Sequence, residues 1–288
     1  LKAKQESRAR RQPRIYRPDS RFDSTIFGAL GALFLEIIEY RSHIATLFGS
    51  EFNASYRGTA LGVAWNFLLP ILPISVYVLL VHMRIFPARE GIPAAVYIGF
   101  NVTLWFLFTG LINRPIQIVR ARNTEMMKTA MPLSAALVSS FARLCFDTLV
   151  RCAFVIVLIL VLPTHVKLTA LAVVPVIAAG SALFLGTGLL LSILNVTYPD
   201  VERIVTIVLQ YGIFLSGVIF PISAMPPLRF LEVANPFAVF IHSARDAAFA
   251  GTFTHPLPLA VWTLAGGALL LLSARFFYVM EYRIRGLA

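Results

Sequence analysis

The sequence predicts an all-α polytopic membrane protein: six transmembrane helices, an N-terminal amphipathic interface helix, an outer re-entrant helical hairpin between the fifth and sixth spans, and both termini cytoplasmic. Three observations predict it. Apolar stretches repeatedly run for the ~20 helical residues that cross a bilayer. Charged residues make up only 14% of the chain, against roughly 25% in an average soluble domain. The positive charge, finally, is strongly one-sided along the chain.

Residues 1–25 are basic, contain Pro13 and Pro18 and lack apolar periodicity, which predicts a flexible cytoplasmic tail. In residues 26–56 the apolar run of 26–35 gives way to Glu36, Glu39, Arg41 and His43. That is more charge than a spanning helix tolerates, so the segment is expected to lie in the inner interface, with a seventh span as the rival reading. Residues 57–288 form a single six-span domain. Its expected spans are 61–83, kinked by Pro70 and Pro73, then 94–112, 137–162, 168–194, 204–220 and 257–278. Between the last two, Pro221, Pro226, Pro227 and Pro236 break the chain into two short helices. Non-helical backbone at that depth needs protein or water around it.

Of the 25 Lys and Arg residues, eighteen fall in segments this topology places inside and five in segments it places outside, while Arg143 and Arg151 lie within the third span. The asymmetry puts both termini in the cytoplasm. It also accounts for the net charge of +11: a basic juxtamembrane segment faces anionic headgroups. No nucleic-acid recognition motif accompanies the charge, so no nucleic-acid partner is expected. No secretory leader is expected, since no short apolar core directly follows the basic tail.

The chain offers little covalent chemistry. It has no G-x-x-x-x-G-K-[ST] phosphate cradle, no G-x-S-x-G elbow and no H-E-x-x-H helix. Its histidines and cysteines lack metal-ligand spacing. Cys145 and Cys152 would sit roughly 10 Å apart along one helix, too far for a disulfide. No catalytic residue, metal or bound cofactor is therefore expected, and any use of ATP must be borrowed from another subunit. Arg143, Asp147 and Arg151 are spaced i, i+4, i+8 and share one helical stripe. Two readings stand: a polar stripe on a water-filled pathway or anionic substrate, or a self-neutralising ion pair near the inner interface.

Four segments resemble the membrane subunit of type-2 ABC exporters, in the branch that exports bacterial capsular polysaccharide, O-antigen and teichoic acid. At the start of the first span, Arg57, Gly62, Trp65 and Pro70 stand at the family's spacing. Arg57 suits the inner interface, Gly62 close packing, and Trp65 an amphipathic anchor. Residues 113–132, NRPIQIVRARNTEMMKTAMP, look like the segment that docks on the ATPase. The resemblance makes Arg114, Ile116, Ile118, Arg120, Arg122 and Glu125 the coupling residues, an apolar centre with a charged rim. Residues 195–200, NVTYPD, are similar to the link into the fifth span, except that Pro199 stands where the family usually has Arg. Asn235, Pro236, Arg245 and Gly251 resemble the outer re-entrant pair.

The resemblance implies a bacterial inner-membrane, multi-pass subunit that pairs with a second copy of itself and with two ATPase subunits, which hold ATP and Mg2+. Its cargo would be a lipid-linked polysaccharide, capsular as the leading expectation, handed on to periplasmic or outer-membrane export proteins. Sugar rings favour aromatic platforms with polar neighbours. Tyr97, Asn101, Trp105 and Phe108, with Arg143, Asp147 and Arg151, are the candidate channel lining, although an aromatic stripe also serves as packing. An exporter of small lipids or drugs, and a membrane-embedded glycosyltransferase, are the competing classes. The scattered carboxylates do not supply the acidic cluster that the latter needs.

Overall fold

The computed structural model describes residues 21, 24–54, 58, 60–85, 91–125, 132–222 and 225–286. Every regular element among them is helical. Helices α1 (Ile26–Glu39) and α2 (Arg41–Ala54) follow one another with a break at Tyr40. Thr25 caps α1 by accepting the Gly28 N–H at 3.1 Å. Both helices pack beside the main bundle, α1 against the last helix and α2 against the third long one. Phe27, Phe34 and Leu35 stay exposed on α1.

A short 3-10 turn, Gly62–Ala64, leads into α3 (Trp65–His82), which stays helical through positions 70 and 73. Then come α4 (Ala94–Glu125), α5 (Leu133–Val161), α6 (Val173–Thr197, preceded by a 3-10 turn), α7 (Asp200–Gly212), α8 (Pro236–Arg245) and α9 (Pro256–Gly286). By length and composition, four described stretches can cross a membrane: Ala94–Ala121, Leu133–Val161, Leu168–Thr197 and Pro256–Glu281.

Two expected boundaries are corrected. The second span does not end near residue 112. Helix α4 continues through Pro115 to Glu125, a rod about 48 Å long, so the expected coupling segment is the end of the span itself. The expected fifth span, 204–220, is not one helix either. Helix α7 stops after 13 residues, and the chain turns through a 3-10 segment, Phe214–Ser216. From there the backbone carbonyls of Gly217 and Val218 are taken by side chains of α4, and the helical ladder is abandoned.

Helix α4 is the hub. In its membrane window 72% of residues are buried, against 11%, 22% and 17% in the other three. It packs between α5 and α6, and its polar Thr103 and Thr109 donate to carbonyls one turn back, at 2.7 and 2.8 Å. Gly188 brings α6 onto it: a Cβ there would lie 2.8 Å from the Ile112 Cα. Arg114, Arg120 and Arg275 mark a basic end of the bundle. The 162–172 link and the α8 hairpin lie at the opposite end, joined by Lys167 N–H donating to the Ala248 carbonyl at 2.9 Å.

Candidate functional site

At the basic end, the last turns of α4 place Ile116 and Val119 fully inside the subunit. Ile118 and Val119 pack with Leu133, Leu137, Leu189 and Ile193. Ile116 is packed into the core of the subunit. Arg120 does face outward and pairs with Glu202 at the start of α7, whose own N–H donates to the Asn195 Oδ1 at 3.0 Å. The side chains of Arg122 and Glu125, like Arg57 and the Pro70 side chain, lie outside the described residues. Trp65 is half-buried at the start of α3. Nothing among the described residues lies within 4 Å of a Cβ built on Gly62, and its φ of +49° is what only glycine adopts easily.

Arg114 reaches the stripe on α5. It donates to Ser140 at 3.3 Å and to Asp147 at 3.4 Å, while Arg143 reaches the other Asp147 oxygen at 3.1 Å. Arg143 also stacks over Phe52 of α2 at 4.9 Å. Arg151 lies over Phe106 at 4.8 Å, and its Nε is buried without a hydrogen-bond partner among the described residues. One carboxylate thus bridges two arginines and leaves the third to an aromatic face.

Tyr97, Asn101, Trp105 and Phe108 are all buried within the subunit. Tyr97 Oη donates to the Gly217 carbonyl and Asn101 Nδ2 to the Val218 carbonyl, both at 3.0 Å. Trp105 packs on Phe237 at 4.6 Å and Phe108 on Phe184 at 4.7 Å. The stripe holds the irregular segment and α8 against α4.

In the hairpin, Asn235 caps α8 by accepting the Phe237 N–H at 3.0 Å and donates to the Leu215 carbonyl and the Ser216 hydroxyl. Pro236 follows at the first helical position, where its missing N–H costs nothing. Arg245 is buried beside Asp246, 3.1 Å away, and donates to the Tyr97 oxygen at 3.3 Å. Asp246 opens a π-helical turn, Asp246–Ala250, and accepts from Thr254. This fully buried ion pair ties the hairpin to α4.

Residues 42–249 match the profile of the ABC-2 type transporter family. The chain belongs to that family. Among curated proteins it is similar to an O-antigen export system permease protein, RfbA, of Myxococcus xanthus, at 28% identity over 83% of this chain and 92% of the relative. A second relative, an O-antigen export system permease protein RfbA of Klebsiella pneumoniae, is 22% identical over the same shares. This ABC-2 chain is accordingly a multi-pass inner-membrane protein, of the kind whose ATPase is a separate subunit.

The ABC-2 match runs from α2 to the π-turn and leaves α1 and α9 outside it. Those two helices build a cluster that no spacing in the sequence announced. Arg21 donates to Glu36 of α1 at 2.9 Å and to Glu281 of α9 at 3.1 Å, and lies 4.3 Å over the Tyr278 ring. Glu36 also accepts from Ser134, and Glu281 from the Leu133 N–H. Burial works against the Arg21 charge, but Glu281, Glu36 and Tyr278 outweigh it and hold its pKa above the ordinary value. Asp246 and Glu281 were equally missed. Each pairs across the fold, or with its sequence neighbour, which gives no periodic signal.

Proposed function

We propose that this chain is the transmembrane subunit of an ATP-driven exporter that carries a lipid-linked polysaccharide across the inner membrane. The observation that carries the proposal is the pair of relatives named for O-antigen export, each aligned over 92% of its length. Their names weigh towards O-antigen among the lipid-linked polymers and away from the capsular polymer the sequence alone suggested.

In this reading two copies form the pathway and two ATPase subunits, carrying ATP and Mg2+, dock at the basic end, which the charge asymmetry assigns to the cytoplasm. The four long helices together with α3 and the α7–α8 region make six crossings. The fifth is completed by the irregular 213–222 segment, whose carbonyls find partners on α4 as backbone in a membrane must. Arg120 and Arg122, on the exposed end of α4, meet the ATPase. The Arg114, Arg143, Asp147 and Arg151 group lies towards the cytoplasmic half, where an anionic part of the cargo enters. Asn235, Pro236 and Arg245 close the outer side. A membrane-embedded glycosyltransferase is disfavoured, because among the described residues no three His, Cys, Asp or Glu side chains gather where they could hold a metal.

The test is to purify the chain with its ATPase subunits and measure ATP hydrolysis in lipid discs. Hydrolysis should need both subunits and rise with a lipid-linked O-antigen donor. Hydrolysis that ignores every lipid-linked glycan but rises with small amphiphiles would transfer the chain to the drug or lipid exporters.

A further inference from the structure

Helices α6 and α9 run side by side in the same direction, and glycines bring them into contact. A Cβ on Gly186 would meet the Leu270 backbone at 2.8 Å, and one on Gly266 would meet the Leu183 side chain at 2.8 Å. Towards the basic end a furrow of about 560 Å³ opens on the flank of this pair, within the roughly 300–1,000 Å³ of ligand clefts. Leu190 forms its α6 wall, and Leu269, Leu272, Phe276 and Met280 its α9 wall. Leu272 is 57% exposed and Phe276 45%. Among the described residues its single charged lining residue is Arg275.

The position of that cation narrows the occupant. Arg275 stands 19 residues beyond Pro256 on α9, about 29 Å along the helix. This is close to the roughly 30 Å of a hydrocarbon core, which sets the guanidinium, midway along a furrow with apolar walls, near headgroup depth. Arg275 Nε donates to the Ser24 carbonyl at 3.0 Å, and its two terminal nitrogens have no partner among the described residues. Serine 24 directly precedes Thr25, the cap of α1, so the positive end of that helix lies next to the same site.

We propose that this furrow binds an anionic phospholipid of the leaflet at the basic end, with an acyl chain along Leu190, Leu272 and Phe276 and the phosphate on the terminal N–H groups of Arg275. A second copy of the chain suits the furrow poorly, because a two-fold contact through it would set two Arg275 side chains at the same depth. A glycan-bearing lipid suits it poorly too. Among the described residues, the only polar lining residue besides Arg275 is Ser273, which is buried and donates to the Leu270 carbonyl at 3.2 Å. Among those residues no carboxylate lines the furrow to receive the ammonium of a zwitterionic head.

The probe is phosphatidylglycerol, titrated by native mass spectrometry into delipidated protein alongside phosphatidylcholine and a polyprenyl phosphate. The expected result is one tightly held phosphatidylglycerol per chain, with at least tenfold preference over phosphatidylcholine. Arg275→Gln should abolish the preference, and Leu272→Trp, which fills the furrow while keeping the arginine, should abolish retention. Melting temperature of each variant checks folding, and either variant alone decides the matter. Equal retention of the two phospholipids, or wild-type retention by a folded variant, overturns the proposal. Tighter binding of polyprenyl phosphate than of phosphatidylglycerol overturns it in favour of a cargo site. Spontaneous disulfide dimers of Leu272→Cys overturn it in favour of a subunit interface.

Discussion

Glu281, near the end of α9, accepts the backbone N–H of Leu133, the first residue of α5, at 2.6 Å. Its other oxygen holds Arg21. One buried carboxylate thereby fixes the start of the helix that follows the proposed ATPase-docking segment. Glu281→Ala leaves a buried N–H unpaired and Arg21 with Glu36 as its remaining carboxylate, and should cost about 1–3 kcal/mol. Glu281→Gln, which keeps an acceptor, should cost less. Thermal unfolding of the solubilised protein reads the difference; equal melting temperatures for both variants and the wild type would count against the clamp.

The Arg245–Asp246 pair is 2% and 3% exposed. Removing one partner of such a pair costs about 3–5 kcal/mol, whereas replacing both by apolar residues of similar volume is often near neutral. Asp246→Ala should therefore lower stability far more than Arg245→Met combined with Asp246→Leu. A double-mutant cycle with strictly additive effects would show that the two charges do not interact.

Gly188 and Gly267 make a matched pair of probes. Gly188→Ala presses a methyl on the backbone of Leu111 and Ile112, and overpacking of this kind costs roughly 1–3 kcal/mol. Nothing lies within 4 Å of a Cβ at Gly267, so Gly267→Ala should be neutral or stabilise by up to about 1 kcal/mol. Reversal of that order in unfolding measurements would refute the close approach of α4 and α6.

Arg120 and Glu202 form a surface pair, the arginine side chain 55% exposed, and such pairs contribute about 0–1 kcal/mol. Replacing Arg120 and Arg122 by Glu should leave folding intact while the ATPase subunit no longer co-purifies. Unchanged co-purification would remove this end of α4 from the docking surface.

Arg151 carries the last cation of the α5 stripe. Arg151→Leu protein, at wild-type abundance, should export less polymer, with the shortfall read as surface glycan per cell. Normal export would leave the Phe106 stacking as packing alone.

The long helices were legible because hydropathy acts locally: 20 apolar residues in a row need lipid whatever the rest of the chain does. The same holds for the i, i+4 contact of Arg143 with Asp147, which needs only one helix. The turn after α7 was not legible. Residues 213–220 are apolar enough to continue a helix, and their carbonyls are instead taken by two donors on α4 more than a hundred residues away, Tyr97 and Asn101.

The sequence by itself therefore determined the all-helical, membrane-embedded class and, through short motifs, the ABC-2 family. Only the tertiary structure decided which polar residues meet. Arg114 reached Asp147, the Tyr97–Phe108 stripe packed within the subunit, and Arg21, Glu36 and Glu281 came together from three distant stretches. The reason is physical: burial of apolar surface is additive along a chain, whereas a buried charge is tolerable only where the fold happens to bring its partner within about 3 Å.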